Sequence, residues 1–270
     1  MIPIYIISLV NDIDKRNIIS KKLNDLNLEY QFIDAIHGKS LSQDFINKLS
    51  YKGKLLTRGY LATPGEIGCT LSHLKAYKLI LKNNNKWTCI LEDDAILDEN
   101  FSTFIKNFNN EVKNLDKDNL YILGGQDGIE KTKYISRSIW SKQYIGKQKF
   151  YKTIKSEEFI FRTCCYVISK NTANNLATTL ESNFYLADDW LNYRKLKLFT
   201  NIYIADIVHH PLDLSNSAIE HERLHAISNR ALKSSSKIKS LLKNLDFINV
   251  RQHIFSYAKS TLSQLKRLYF

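Results

Sequence analysis

The chain begins with a run that carries almost no polar side chain, Ile2-Pro3-Ile4-Tyr5-Ile6-Ile7-Ser8. A strand with one solvated face alternates apolar and polar residues. This one does not, so it belongs in a sheet covered on both faces. Asn11 or Asp12 can cap a helix running to about Leu26. Tyr30-Gln31-Phe32-Ile33 then reads as a second strand, ending at Asp34-Ala35-Ile36-His37-Gly38. The chain therefore opens as a βαβ unit, the nucleotide-binding type of start. It carries neither G-x-G-x-x-G nor a Walker A sequence, which argues against dinucleotide enzymes and P-loop NTPases.

A second buried strand, Trp87-Thr88-Cys89-Ile90-Leu91, runs directly into Glu92-Asp93-Asp94. Such acids lie where open α/β sheets bind ligands, at the carboxyl ends of strands. Carboxylate oxygens suit Mg²⁺ or Mn²⁺, ions that usually also hold substrate phosphates. Taken alone, the triplet also fits a solvated turn. Upstream, Thr63-Pro64-Gly65-Glu66-Ile67-Gly68 opens a helix continuing through Leu71, Leu74, Ala76, Leu79 and Ile80. Its two glycines, three apart, let backbone approach a ligand closely. Ser72 and His73 lie in its first turns, where a lone His is more commonly structural.

Further strands are expected at 120–123, 159–169 and 199–204, the last running toward Val208-His209-His210-Pro211. Gly124-Gly125-Gln126 ends one of them and implies close approach to a ligand or to another strand. Residues 129–158 are polar and poorly periodic, and read as a long mobile excursion over a site. Asp188 and Asp189 fall at a helix N-terminus, where capping alone would explain one of them.

The 270 residues suffice for one large domain, or one domain plus an extension. The start lacks a basic n-region and reads as a strand, not a signal peptide. No apolar run is long enough to span a membrane. Cys69, Cys89, Cys164 and Cys165 form no C-x-x-C pair. They are expected to be reduced core or site-lining residues of a cytosolic protein, not a zinc site. The formal charge of +12 is concentrated at the end, where residues 231–270 hold eight basic residues against Asp246 alone. There Ile238, Leu241, Leu242, Leu245 and Ile248 form an apolar stripe, with a looser second one from Ile254 to Leu268. Such a tail packs on the domain or on a second subunit in a homodimer, or it lies on an anionic membrane. No nucleic-acid motif accompanies the charge, so nucleic acid is not the expected partner.

Several stretches, in order, resemble one family. They are Ile6-Ile7-Ser8-Leu9 with Arg16, Phe32-Ile33-Asp34-Ala35, Gly65-Glu66-Ile67-Gly68-Cys69 with Leu71-Ser72-His73, and Leu91-Glu92-Asp93-Asp94. Tyr166-Val167-Ile168-Ser169 and Ser217-Ala218-Ile219-Glu220 follow. Together they resemble the family 25 glycosyltransferases of bacterial lipopolysaccharide and lipooligosaccharide synthesis. The resemblance implies a GT-A type fold, a Rossmann-like α/β/α sandwich, over residues 1–225, and the residue pattern adds a basic amphipathic helical tail over 226–270, which carries no motif of the family. It implies a UDP-hexose donor, UDP-galactose before UDP-glucose, and inverting transfer to a lipid-linked oligosaccharide. Its expected place is the cytoplasmic face of the inner membrane, held by the basic tail. A metal-dependent phosphoesterase or nucleotidyltransferase would use the same acids.

The leaving nucleoside diphosphate calls for a cation, Mn²⁺ or Mg²⁺. Asp94, farthest from the buried strand, is the first choice of ligand, assisted by Asp93 or Glu92 through ribose or a bridging water. His210 is a candidate further ligand. Inversion needs a general base, and Asp188 and Asp189 are the candidates, Asp188 first. Trp190 beside them is either an acceptor-sugar platform or a core side chain. The resemblance places Ser8, Leu9, Arg16 and Ala35 on the nucleotide, with Arg16 on phosphate. It places Glu66, Gly68, Ser72 and His73 along the donor side, and Gly124-Gly125-Gln126 and Tyr166 near the transferred sugar.

Overall fold

A computed structural model describes residues 1–51, 56–57, 60–213, 217 and 219–228. The opening βαβ unit forms as the pattern requires. Strand β1 (Ile4–Ser8), helix α1 (Ile13–Asp25) and strand β2 (Gln31–Asp34) lead the chain, with β1 and β2 parallel. Helix α2 (Gln43–Tyr51) and a small antiparallel pair, β3 (Leu56–Thr57) and β4 (Tyr60–Leu61), precede the long helix α3 (Pro64–Lys82). Strand β5 (Trp87–Glu92) then pairs in parallel with the other side of β1.

Next come α4 (Glu99–Glu111), β6 (Leu120–Gly124), β7 (Arg137–Ile145), β8 (Gln148–Thr153) and β9 (Cys165–Ser169). Helices α5 (Lys170–Ser182) and α6 (Trp190–Lys195) and strand β10 (Ile202–Val208) complete the series. The main sheet runs β2-β1-β5-β9-β6-β10-β8-β7. Strand β9 lies antiparallel between β5 and β6, so its amino end reaches the same edge as the carboxyl ends of its neighbours.

Alternate residues of each central strand feed two cores, which is why these strands are apolar throughout. Ile4, Ile6, Cys89, Leu91, Tyr121 and Val167 face α1 and α4, against Ile19, Leu23, Phe101, Phe104 and Phe108. Tyr5, Ile7, Ile90, Ile122 and Tyr166 face the other way, against Tyr77 and Ile80 of α3, Leu176 of α5 and Trp190 of α6. Each such fully buried aliphatic side chain contributes about 1.5–3 kcal/mol. The result is the expected α/β sandwich, within which Met1–Glu222 form one compact unit.

Two segments differ from the sequence expectation. Residues 129–158 are not an excursion over a site. They form the β7–β8 hairpin, which turns at Gly146 (φ +60°) and extends the sheet beyond β10. Most of β7 is exposed at the sheet edge, which hides the strand period, while Ile145 and Phe150 anchor the hairpin in the core. The 159–169 strand is shortened to Cys165–Ser169, because Arg162 takes a left-handed conformation, φ +63°. Residues 219–228 are helical, but both apolar stripes of the tail lie outside the described residues. Among the described residues, no helix is long and apolar enough to cross a membrane.

Candidate functional site

A cavity of about 550 Å³ opens at the carboxyl ends of β1, β2 and β5. That size suits a small-molecule ligand. Ser8 and Leu9, Ala35 and Ile36, and all three acids of the 92–94 turn line it. So do His210 and Pro211 after β10 and Glu222 of the 219–228 helix. The turn is brought to His210 by a short antiparallel bridge. Ile96 N–H donates to His209 O at 2.8 Å, and His209 N–H donates to Ile96 O at 3.0 Å.

The three acids diverge. Asp94 Oδ2 lies 3.3 Å from His210 Nε2, and Asp94 Oδ1 is buried with no hydrogen-bond partner among the described residues. His210 Nδ1 donates to Pro211 O at 2.9 Å, which turns Nε2 toward Asp94. Burial pushes the Asp94 carboxyl up. The hydrogen bond and charge of His210, with Lys15 and Arg162, outweigh burial and hold it below the ordinary value. Burial likewise pulls His210 down, and Asp94 reverses that, so the imidazole is raised. An oxygen left unpaired beside an imidazole nitrogen is a donor set suited to a divalent cation. Asp93, 12% exposed, faces Ser8 and lies 3.9 Å from Lys15. Burial pushes its carboxyl up to about 6 against the pull of both.

Glu92 turns inward instead. Its Oε1 accepts from Thr163 Oγ1 at 2.5 Å and lies 3.4 Å from His73 Nε2. His73 is fully buried, with Nδ1 2.7 Å from Tyr166 Oη, which meets Tyr77 Oη at 2.9 Å. His73 and Tyr166 therefore stand behind the cavity wall. Two residues less visible in the sequence support the turn. Asp127 accepts from His210 N at 2.9 Å and lies 3.1 Å from His209 Nδ1. Arg162 donates to the carbonyls of Gly125 and Asp127 at 3.1 and 2.8 Å.

Other expected residues have local duties. Arg16 donates to Ser8 O at 2.8 Å, Leu9 O at 3.0 Å and Asp34 Oδ1 at 2.8 Å, tying the ends of β1 and β2 together. Among the described residues, Lys15 and Lys39 are the lysine and arginine side chains that line the cavity. Glu66 completes a capping box with Thr63 at the start of α3, accepting from Thr63 N at 2.9 Å. Ser72 lines the cavity and accepts from Ile36 N at 2.8 Å. Gly68 is where α3 touches the loop after β2. A Cβ there would fall 2.5 Å from Ile36 O and 2.7 Å from Gly38 N. Gly124 similarly admits Val208 O, and Gly125 admits Cys164, so this pair serves strand packing. Gln126 clamps the backbone of Phe161 through its side-chain amide, and so does not face the cavity wall.

Asp188 and Asp189 do not line the cavity. Asp188, nearly buried, accepts from Arg162 N at 3.1 Å. Asp189 caps α6, accepting from Asn192 N at 3.5 Å, and also accepts from Asn192 Nδ2 at 2.8 Å. Of the two readings of Trp190, the structure supports the core side chain. It is 1% exposed and donates to Arg162 O at 3.2 Å, so it offers no sugar platform.

The model of glycosyltransferase family 25, described as an LPS biosynthesis protein family, matches residues 1–191. A procollagen galactosyltransferase 1-A from Xenopus laevis is 28% identical over 131 residues, 44% of this chain and 20% of that one. A putative glycosyltransferase from Haemophilus influenzae is 36% identical over 99 residues, 36% of this chain and 33% of its own. The chain thus matches only a fifth to a third of the length of these relatives. The lipooligosaccharide biosynthesis protein lic2B of Haemophilus influenzae is matched almost end to end, 26% identical over 89% of both chains. With a family model covering both the first βαβ unit and the acid turn, this chain belongs to glycosyltransferase family 25.

Proposed function

We propose that the chain is an inverting, divalent-cation-dependent hexosyltransferase that moves galactose from UDP-galactose to a lipooligosaccharide core sugar. One observation carries the reading. Asp94, whose Oδ1 has no hydrogen-bond partner among the described residues, and His210, whose Nε2 lies 3.3 Å from Asp94 Oδ2, both line a cavity at the carboxyl ends of β1, β2 and β5. Galactose is favoured over glucose by the procollagen galactosyltransferase, and the acceptor class by lic2B.

In this reading Asp94 and His210 hold Mn²⁺ or Mg²⁺, which offsets charge on the departing diphosphate. Lys15 and Lys39 supply the cationic wall that was expected of Arg16, whose guanidinium braces β1 against β2. Ser8, Leu9 and Ala35 flank the nucleoside, and Asp93 takes ribose or a bridging water. Asp188 is the base candidate, because Asp189 is committed to its helix cap. Arg162 joins the two regions: its N–H holds Asp188 while its guanidinium braces the loop behind His210. We assign catalysis to residues 1–225, and to the basic tail 226–270 a contact with the anionic inner face of the cytoplasmic membrane.

The test is a donor screen with UDP-Gal, UDP-Glc, UDP-GlcNAc and UDP-GalNAc, with and without Mn²⁺, on wild type and Asp94→Ala. Mn²⁺-dependent release of UDP, greatest from UDP-Gal and lost in the variant, is expected. Turnover that is indifferent to both cation and Asp94 overturns the assignment. Hydrolysis of nucleotides lacking a sugar would move the chain to the phosphoesterase reading.

A further inference from the structure

Behind the acid turn, Cys69 and His73 lie one turn apart on α3 and face Glu92 at the end of β5. One ligand atom from each residue, namely thiol sulfur, imidazole nitrogen and carboxylate oxygen, falls within 4.8 Å of the other two. We propose that these three residues form a second cation site, for a thiophilic divalent ion of the zinc class, distinct from the hard-ion site at Asp94 and His210.

The separations are close to those of an ion site. His73 Nε2 to Glu92 Oε1 is 3.4 Å, and Cys69 Sγ to Glu92 Oε1 is 3.9 Å. A charge-assisted N–H···O bond would be about 2.7–2.9 Å. Zinc–ligand bonds of about 2.0–2.3 Å in a tetrahedron set ligand atoms about 3.3–3.8 Å apart. The His73–Glu92 spacing fits an edge of such a tetrahedron, the Cys69–Glu92 spacing is slightly longer, and the third lies within 4.8 Å, so the three atoms surround one point at near ion-binding range.

The surroundings are also those of a metal ligand set. Tyr166 Oη lies 2.7 Å from His73 Nδ1. In the tautomer whose Nδ1–H donates to Tyr166, with the Tyr166 hydroxyl donating in turn to Tyr77, Nε2 keeps a lone pair for an ion beside Glu92. Thr163 Oγ1 donates to the same Glu92 oxygen, Oε1, at 2.5 Å and so orients the carboxylate. Binding releases the Cys69 thiol proton to solvent, and thiolate plus carboxylate then balance the ion's two charges. A neutral cluster is what a buried wall tolerates. Cys69 and Glu92 line the cavity while His73 stands behind, so the fourth position opens toward bound ligand. Such an ion would pin α3 to β5 directly beneath Asp93 and Asp94. The C-x-x-x-H spacing gave no warning by itself, because the third ligand comes from a different element.

The proposal does not depend on the hexosyltransferase reading, and its readout is metal binding. Metal-stripped protein is titrated with Co²⁺ and then Zn²⁺, as wild type, Cys69→Ser and Asp94→Ala. Wild type and Asp94→Ala should each develop a near-ultraviolet thiolate-to-cobalt band that saturates at one equivalent and is displaced by Zn²⁺, while Co²⁺ at Asp94 and His210 of wild type gives no such band. Cys69→Ser should lose the band, because the thiolate that gives rise to it is gone. Zn²⁺ should raise the unfolding temperature of wild type more than that of Cys69→Ser, and should still raise that of Asp94→Ala. Circular dichroism confirms that Cys69→Ser is folded. Absence of the band in wild type, its persistence in Cys69→Ser, or its loss in Asp94→Ala would each overturn the proposal.

Discussion

Replacing Asp93 by Asn should stabilise the protein at neutral pH, although Asp93 lines the candidate site. The folded state raises this carboxyl from 3.8 to about 6, chiefly by burial. That gap corresponds to about 3 kcal/mol of stability lost when the group must be charged in both states. The sign follows from the raised value. Below pH 3.8 the carboxyl is protonated in both states and costs nothing. Between 3.8 and about 6 the unfolded chain ionises first, and stability drains away. Above about 6 the full penalty applies. Asn keeps the shape and the hydrogen bond to Ser8 without the charge. For a chain of this size, 3 kcal/mol corresponds to about 6–12 °C in unfolding temperature. This is a ceiling, since water and Lys15 can relax around the charge. The assay is calorimetric unfolding of wild type and Asp93→Asn between pH 3.5 and 8 without divalent cations. The advantage of Asn should be absent at the acid end, grow to about pH 6 and then level off. Mn²⁺ should narrow it, because a cation beside Asp94 offsets the charge on Asp93. An advantage independent of pH, or a variant less stable at pH 7.5, would refute the reasoning.

The same geometry predicts three more outcomes. Gly68→Ala places a methyl 2.5 Å from Ile36 O and 2.7 Å from Gly38 N, both backbone. It should cost about 1–3 kcal/mol in urea unfolding, and an unchanged midpoint would contradict the close helix contact. Trp190→Ala empties a 1% exposed position and should cost about 3–5 kcal/mol, whereas a platform role would spare stability and raise only the acceptor KM. Asp188→Asn should leave UDP affinity intact and abolish transfer, while Asp189→Asn, which can still cap α6, should retain transfer. The reverse pattern in single-turnover assays would make Asp189 the base.

The apolar runs required a sheet covered on both faces, and the βαβ opening required parallel pairing of β1 with β2. Period and order alone were enough for these, because strand alternation and helix spacing are local properties of the chain. The acid triplet after β5 was legible for the same reason. Division of labour within the site was not. That Asp94 meets His210, that Glu92 turns to His73 and Cys69, and that Asp93 stores charge strain all depend on which strand end lies beside which. Thr63-x-x-Glu66 carries a capping-box signature, so the local duty of Glu66 was readable in principle. The duty of Arg16 was not, because its partners Ser8, Leu9 and Asp34 converge only when β1 and β2 pair. Sequence determined the elements and the kinds of side chain at their ends. Only tertiary structure decided contacts, burial and hence charge state, since the field at a carboxylate is set by groups far away in the chain.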